Sequence, residues 1–295
     1  MATPLKKNRM RANTHFTQKL WTGENMLSIT DKEFRKLAGY IKKNYGINLK
    51  EEKRALVVGR LHNVLAEKNF KAFSEYFDYV ISDETGEAVG TLVNKITTNH
   101  TFFMREPDHF YYFRDKALPA AAAMAKDKDL RIWSAGCSSG EEPYTLAMII
   151  DEFFGREKCL WDTKILATDI SEKVLEEAAR GIYSNEKTAA LPPTWILNYM
   201  KKIDSKKSVI SEKIKNEVIF RKFNLMEKFP FRRKFHVIFC RNVMIYFDAQ
   251  TKKELVQKFY DSTEHGGLLF IGHSESLNKE ETKYKYVMPA VYRKE

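Results

Sequence analysis

Residues 131–144, RIWSAGCSSGEEPY, constrain the fold of this chain more than any other stretch. An apolar run with Ile132 and Trp133 gives way to small residues from 134 to 140, and a helical pattern follows. A strand, a glycine turn and a helix start in this order form the nucleotide-binding corner of an open α/β sheet. The glycines let the backbone approach a ligand closely, and the helix start presents N–H groups without helical partners.

Two carboxylates, Glu141 and Glu142, follow the turn that contains Gly136. A phosphate-binding turn places lysine or bare N–H groups at this position, because it must hold an anion. Carboxylates would repel a pyrophosphate and attract an ammonium or sulfonium group, so the turn suggests a positively charged nucleoside, and S-adenosylmethionine fits. The alternative is that both glutamates only complement the helix dipole, and these residues alone leave both interpretations open.

From residue 127 to 295 the pattern predicts a single α/β domain, because strands and helices alternate as in a parallel sheet covered on both faces. The predicted strands are 131–134, 164–170, 218–223, 235–240 and 268–273, with a final pair of edge strands in 286–292. The polar, lysine-rich segment 182–217 does not fit this alternation. We interpret it as an inserted subdomain with a helix and a short hairpin.

The N-terminal third of the chain predicts a different organisation. Residues 1–26 are expected to form a disordered basic tail. Residues 27–95 show four amphipathic helical patterns, the first opened by the capping box Thr30–Glu33 and the second starting near Lys50. They predict a small all-helical domain. Residues 96–126 are expected to be a linker with a helix of its own that contributes to the active site.

The net charge of +11 favours an acidic partner. The distribution of the basic residues along the chain bears on which class of acidic partner is expected. Five basic residues and no acid lie in residues 1–20, while the rest of the excess is spread over a body rich in glutamate. That spread is more typical of a solvated surface than of a nucleic-acid interface. One predicted helix face is basic, and it is either a docking surface or an ordinary solvated face. It carries Lys50, Lys53, Arg54 and Arg60.

The cysteines and the apolar runs give expectations about location. The three cysteines, at 137, 159 and 240, do not have the spacing of a metal site. The simplest explanation is that they are free thiols in a reducing cytoplasm. The apolar runs are far shorter than a bilayer span, so no membrane insertion is expected.

Polar residues follow several predicted strands, where open α/β sheets bind their ligands. Asp169 ends the second strand, at the position that conventionally holds ribose hydroxyls. Arg105, at the junction of the two domains, could clamp a carboxylate or simply pair with Glu106. Tyr246 could act on a ligand or be a core aromatic residue.

Six runs of the chain closely resemble the chemotaxis receptor glutamate methyltransferases (CheR-type), in the order and spacing of that family. They are TTNHTFFMRE, WSAGCSSGEEPYTLA, ATDISEKVLEEAARGIY, FNLMEK, FHVIFCRNVMIYFD and LLFIGHSESL. The resemblance implies an α/β fold with a Rossmann-like S-adenosylmethionine-dependent methyltransferase sheet, a small N-terminal all-helical domain and an inserted small antiparallel β subdomain. It also implies methyl transfer from S-adenosylmethionine to glutamates in cytoplasmic helices of chemoreceptors, with S-adenosylhomocysteine as the product.

The resemblance implies roles for individual residues. Arg105 and Tyr246 are expected to orient the substrate carboxylate, and either Glu141 or Glu142 to meet the methionyl ammonium. The remaining cofactor-binding positions that it implies are Asn99, Thr101, Gly136, Asp169, Asn224, Leu225, Arg241 and Asn242, with Arg105 also against the cofactor. The chemistry needs no metal and no general base, because a glutamate with a pKa of about 4.3 is already ionised at neutral pH.

The resemblance also bears on partners. The basic helix face matches glutamate-rich receptor helices in charge. Relatives that dock a receptor's C-terminal tethering peptide use a glycine-containing turn of the inserted subdomain, whereas no glycine lies between Gly181 and Gly266 in this chain. We therefore expect an enzyme that does not need the tether, and a cytoplasmic monomer.

Two other interpretations stay open from the residues. A nucleic-acid methyltransferase is favoured only by the charge, and the Asn/Asp-Pro-Pro-aromatic tetrad of the amino-methylating enzymes is missing after the fourth predicted strand. A cofactor sensor without turnover would not need substrate-side residues such as Arg105 and Tyr246.

Overall fold

The first N-terminal helix begins where its capping box predicts. The computed structural model describes residues 27–97 and 100–295, so the predicted tail (1–26) and Asn99 lie outside the described residues. The first four helices are α1 (Asp31–Tyr45), α2 (Arg54–Glu67), α3 (Phe73–Ser82) and α4 (Glu87–Ile96). In the capping box of α1, the Thr30 hydroxyl accepts from the Glu33 N–H and the Glu33 carboxylate accepts from the Thr30 N–H. Helix α2 begins at Arg54 rather than near Lys50, because residues 51–53 form a tighter 3₁₀ turn.

A continuous helical segment connects the N-terminal helices to the sheet. It consists of α5 (Pro107–Tyr112), a π-helical turn (Phe113–Ala117) and α6 (Leu118–Met124). The later helices are α7 (Glu141–Phe154), α8 (Glu172–Arg180), α9 (Asn185–Thr188), α10 (Pro193–Tyr199), α11 (Glu212–Lys215) and α12 (Ala249–Ser262). Within the described residues no helix has both the length and the apolar character that a membrane crossing needs.

The strands fall into two sheets. In chain order they are β1 (Ile132–Ala135), β2 (Ile165–Asp169), β3 (Ile182–Ser184), β4 (Met200–Lys202), β5 (Lys207–Ile210), β6 (Val218–Lys222), β7 (Phe235–Cys240), β8 (Thr263–Ile271), β9 (Lys285–Met288) and β10 (Val291–Arg293). The main sheet has the order β6-β2-β1-β7-β8-β10-β9. Its first five strands are parallel, and β10 pairs antiparallel with both β8 and β9. The predicted α/β class is therefore confirmed.

Strand β1 lies between β2 and β7, where the direction of the strand order reverses. The chain proceeds from β1 outward to β2 and β6 on one side, and then returns to β7 and β8 on the other. Such a switch point leaves a crevice beyond the carboxyl ends of the two central strands, and ligands of open α/β sheets bind there. The topology thus places the glycine turn after β1 at the crevice.

Three details differ from the sequence prediction. Strand β8 begins at Thr263 rather than Leu268, because a pairing irregularity opposite Phe235 and Val237 lets the strand accommodate additional residues. Only β9 of the final pair is an edge strand, since β10 inserts between β8 and β9. The inserted subdomain is confirmed as antiparallel, but it has three strands in the order β3-β5-β4 and three short helices instead of one helix and a hairpin.

The two faces of the main sheet have separate cores. On one face, Trp133 packs with Phe235 and Phe259 in a cluster that also contains the apolar residues of α1 to α4. On the other face, Phe239 and Phe270 stack with ring centroids 4.3 Å apart, together with residues of α5 to α7. The N-terminal helices therefore share a core with the sheet, and they cover one side of the crevice.

Candidate functional site

A cleft lies at the carboxyl ends of β1, β2, β6 and β7, and the N-terminal helices form its opposite wall. It encloses about 1090 Å³ of empty space, part of which is continuous with solvent. The structure brings ten of the predicted site residues to this one cleft: Thr101, Arg105, Gly136, Glu142, Asp169, Asn224, Leu225, Arg241, Asn242 and Tyr246.

The glycine turn after β1 needs its glycines. Gly136 has φ +86°, and a Cβ there would collide with the side chain of Val243. Gly140 has φ +93°, and a Cβ would lie 2.9 Å from the Cβ of Ala178. The N–H groups of Gly136 and Cys137 both donate to the Thr168 carbonyl, at 2.8 and 2.9 Å. The turn is therefore fixed against β2, with its backbone open to the cleft.

Asp169, the last residue of β2, faces the same turn. Its two carboxylate oxygens accept from the N–H groups of Ser138 (2.9 Å) and Ser171 (3.0 Å). Burial raises the pKa of Asp169, while the N–H groups of Ser171, Ser138 and Ile170 act in the opposite direction. The carboxylate is thus held in one orientation at the place where a ribose is expected.

The structure distinguishes Glu141 from Glu142. Glu141 is fully buried and turns away from the cleft, towards the Ser139 hydroxyl (2.8 Å) and Lys187 Nζ (2.7 Å) of the inserted subdomain. Glu142 lines the cleft and accepts from the Ser134 hydroxyl at 2.7 Å. Successive residues of an α-helix point about 100° apart, so the two acids face different surroundings. Of the two acids that the resemblance left open, Glu142 is the one that lines the cleft, and its contact with the methionyl ammonium stays a prediction.

Arg241 is the centre of an ion-pair network under the cleft. Its side chain is only 3% exposed, with Nη1 2.9 Å from a Glu142 oxygen and Nη2 3.1 Å from Glu106 Oε2. The other Glu106 oxygen accepts from the Asn242 amide at 3.2 Å. Burial opposes ionisation of Glu106, but Arg241 and Asn242 outweigh it and hold the pKa of Glu106 below its ordinary value. The pairing of Glu106 with Arg105, considered from the sequence, is replaced by pairing with Arg241.

Glu275 is a buried acid that sequence reasoning missed. It follows β8 and accepts from the N–H groups of Asn242 (3.0 Å) and Ile245 (3.1 Å) and from that of Gly272. Asn242 has a left-handed backbone with φ +59°, and these bonds hold it there. The run FIGHSES contains a pattern that predicts this position. An acid that follows an apolar strand in an α/β sheet lies at the carboxyl ends of the strands, where ligands bind.

The N-terminal wall of the cleft was also missed. Tyr45, Ile47, Val93, Asn94 and Thr97 line it. Three hydrogen bonds hold this wall in place. The Asn224 amide donates to the Asn44 carbonyl (2.8 Å), the Asn48 N–H donates to the Tyr246 carbonyl (2.8 Å), and the Asn94 amide donates to the Ser171 hydroxyl (2.5 Å). No local sequence pattern marks these positions, since they become neighbours of the turn only through domain packing.

Arg105 and Tyr246 border the cleft from different elements. Arg105 is partly exposed in the segment before α5, and its guanidinium donates to the His100 carbonyl. Tyr246 is partly buried in the loop after β7. The two side chains that were expected to orient a substrate carboxylate therefore lie at one cleft.

The basic face of α2 is not a uniform surface. Arg54 pairs with Asp31 and Glu51, each at 2.6 Å, and lies over the Phe34 ring. Arg60 donates to the Ile96 carbonyl at 3.0 Å, at the end of α4. Lys50 and Lys53 are exposed. The four basic residues therefore differ in their surroundings, because the two arginines also satisfy internal partners, and their role in docking stays a prediction.

Comparison with known proteins gives matches along the described chain. A profile described as CheR methyltransferase, SAM binding domain, matches residues 99–292, and one described as CheR methyltransferase, all-alpha domain, matches residues 32–97. The chemotaxis protein methyltransferase of Borreliella burgdorferi is 42% identical over 272 residues, which cover 91% of this chain and 96% of that protein. The Escherichia coli chemotaxis protein methyltransferase is 34% identical over 270 residues, 90% of this chain and 92% of that protein.

The substitution Gly136→Ala tests the turn. We expect the affinity for S-adenosylhomocysteine to fall at least about tenfold, because a left-handed backbone costs a non-glycine residue about 1–2 kcal/mol and the added Cβ meets Val243. The control is Gly39→Ala in α1, where a Cβ meets nothing within 4 Å. Calorimetric titration of both variants, with thermal unfolding alongside, makes the comparison. Unchanged affinity in Gly136→Ala would show that the turn does not cradle the ligand.

Proposed function

Because the chain belongs to the CheR methyltransferase family, we propose that it transfers the methyl group of S-adenosylmethionine to glutamate side chains in the cytoplasmic helices of chemoreceptors. The observation that carries the proposal is a single cleft lined by two kinds of side chain. Asp169 and Glu142 are acids that suit a cationic nucleoside, and Arg105 and Tyr246 are groups that suit a carboxylate. Neither a pure cofactor sensor nor a dinucleotide enzyme needs that combination.

Unsatisfied polar atoms support binding of the cofactor in this cleft. Arg241 Nε and the Ser138 hydroxyl are buried, have no hydrogen-bond partner among the described residues, and belong to side chains that line the cleft. Buried polar groups usually have partners, and a missing one indicates an absent ligand or water. Asp169 would accept from ribose hydroxyls, Glu142 would attract the methionyl ammonium, and Asn224 and Leu225 would border the adenine.

Catalysis of this reaction depends mainly on how the substrate carboxylate and the sulfonium methyl group are positioned. The bound cofactor supplies a sulfonium methyl group as the electrophile. A substrate carboxylate oxygen forms the new bond to this methyl, the carbon–sulfur bond breaks, and its electron pair stays on sulfur, so a methyl ester and S-adenosylhomocysteine result. No proton moves, because the glutamate is ionised at neutral pH. Near-attack alignment can supply about 7–11 kcal/mol of the barrier reduction.

Arg105 and Tyr246 are proposed to provide this alignment. A guanidinium can orient a carboxylate through paired hydrogen bonds. It must not hold the attacking oxygen too tightly, since stabilising the ground state more than the transition state lowers the rate. Arg105 suits this requirement because it is partly exposed at the cleft, unlike Arg241, which is buried and paired with Glu106 and Glu142.

Methyl transfer from radiolabelled S-adenosylmethionine tests the function. With receptor-containing membranes and with RNA as parallel acceptors, we expect base-labile label in the receptor only. Arg105→Ala should lower kcat about 100-fold, the scale of a 1 Å misplacement, and Tyr246→Phe about tenfold, the scale of one hydrogen bond. The exposed, distant Arg114→Ala and Tyr286→Phe are the matched controls. Label in RNA, or wild-type rates in both cleft variants, would contradict the proposal.

Receptor docking is proposed to use the two exposed lysines just before α2, Lys50 and Lys53. Exposed charges steer association, and salt screens them over about 8–10 Å. Rising salt should therefore raise the KM for receptor, and Lys50→Glu with Lys53→Glu should raise it at low salt without a change in kcat. The control pair Lys126→Glu and Lys128→Glu lies before β1, at the opposite edge of the sheet. A salt-insensitive KM would argue against electrostatic docking.

The enzyme is proposed to act without a receptor tether. The turn between β4 and β5 (residues 203–206) contains no glycine, and the Asp204 carboxylate closes it by accepting from the N–H groups of Lys206 (2.6 Å) and Lys207 (2.8 Å). We expect no heat of binding when the receptor's C-terminal peptide is titrated into the full chain. Saturable binding at one peptide per chain would refute this expectation.

A monomer in the cytoplasm completes the proposal. Cys137 and Cys240 are buried free thiols and Cys159 is an exposed one. Burial raises the pKa of Cys137 and Cys240, so both are unreactive. An exposed free thiol suits a reducing compartment, where the receptor helices would also be accessible.

A further inference from the structure

A cluster of metal-ligating side chains lies beneath the cleft and plays no part in the proposed methyl transfer. Glu106, His109 and His273 each place one potential ligand atom within 4.8 Å of the others. The His109 and His273 rings meet edge to face, with centroids 4.5 Å apart. Residues 106 and 109 belong to the start of α5, while His273 follows β8, so tertiary packing assembles the cluster.

His109 is the unusual member of this cluster. It is fully buried, and neither ring nitrogen has a hydrogen bond of normal geometry among the described residues, although the backbone of Pro289 lies near the ring. A buried polar group without a good partner is destabilising. Its Nδ1 lies 3.4 Å from Glu106 Oε2, which is beyond a normal hydrogen bond. A buried imidazole aimed at a carboxylate and a second imidazole is an arrangement that a metal ion would satisfy.

The spacing fits a zinc-like ion. Bonds of about 2.0–2.2 Å at tetrahedral angles place neighbouring ligand atoms about 3.3–3.5 Å apart, and the Glu106–His109 separation is 3.4 Å. His273 is exposed, so its side chain can rotate to complete the set. We propose that Glu106, His109 and His273 form a binding site for a divalent transition-metal ion, with the fourth position open to solvent.

The proposed site is coupled to the cleft through Glu106. The same Oε2 atom accepts from Arg241 Nη2 at 3.1 Å, and Oε1 accepts from the Asn242 amide. A cation bound to Glu106 would repel the Arg241 guanidinium. It would also weaken the hydrogen bonds that the Glu106 carboxylate accepts from Arg241 and Asn242. The ion would then lower the affinity for the cofactor, and the cofactor would lower the affinity for the ion by the same factor. This coupling depends on the proposed cofactor-binding roles of Arg241 and Asn242, whereas metal binding itself does not.

Titration of chelator-treated full chain with Co²⁺ and Zn²⁺, without receptor, tests the site. We expect one Co²⁺ per chain with visible d–d bands, and displacement of Co²⁺ by Zn²⁺. His273→Ala should weaken binding at least tenfold and, because the residue is exposed, should not affect folding. His265→Ala, another exposed histidine, is the control. No binding by the wild type, equal binding by His273→Ala, or thiolate charge-transfer bands from a cysteine ligand would each overturn the site.

Titration of S-adenosylhomocysteine with and without saturating Zn²⁺ tests the coupling. We expect Zn²⁺ to weaken the affinity about tenfold in the wild type and to leave it unchanged in His273→Ala. An unchanged wild-type affinity with Zn²⁺ bound would overturn the coupling. Both titrations omit methyl transfer, so failure of the metal site is distinguishable from failure of the proposed enzyme activity.

Discussion

The buried guanidinium of Arg241 is the interaction on which the rest of the site depends. It joins Glu142 at the start of α7 to Glu106 before α5, so one cation fixes the relative positions of three segments. Removing an ion from water costs several kcal/mol, and good geometry must compensate that cost. Two further contacts contribute to this compensation. The Arg241 guanidinium lies over the Phe110 ring, and the other oxygen of Glu106 accepts a hydrogen bond from the Asn242 amide. Glu142, the acid that lines the cleft, is therefore held in one orientation by the protein itself.

The second constraint is that the cleft has walls from two parts of the chain. The sheet contributes the glycine turn and Asp169, and the N-terminal helices contribute Tyr45 and Asn94. Hydrogen bonds such as Asn224 to the Asn44 carbonyl fasten the two walls together. Because one apolar cluster spans α1 to α4 and a face of the sheet, a change in the helical part would alter the cofactor site as well. The N-terminal helices are thus part of the binding site as well as a proposed docking surface for a partner.

Local patterns predicted much of this arrangement. Gly136 and Asp169 were identifiable because a strand, a glycine turn and an acid at the next strand end have fixed meanings in an open parallel sheet. The basic face of α2 was visible as helical spacing, but its two arginines have internal partners that spacing does not reveal. The pairing of Glu106 with Arg105 was one of two alternatives that the sequence left open, and the observed partner, Arg241, follows from how α5 packs against β7.

Local conformation and motif order were enough to predict the alternating α/β order, the capping box of α1, the glycine corner and the resemblance to a methyltransferase family. They did not predict that Glu142 rather than Glu141 faces the cleft, that α1 and α4 supply a wall, or that Glu106, His109 and His273 meet. Side-chain direction and long-range contacts follow from packing. Residues far apart in the chain become neighbours through a shared core, and no local pattern encodes that proximity.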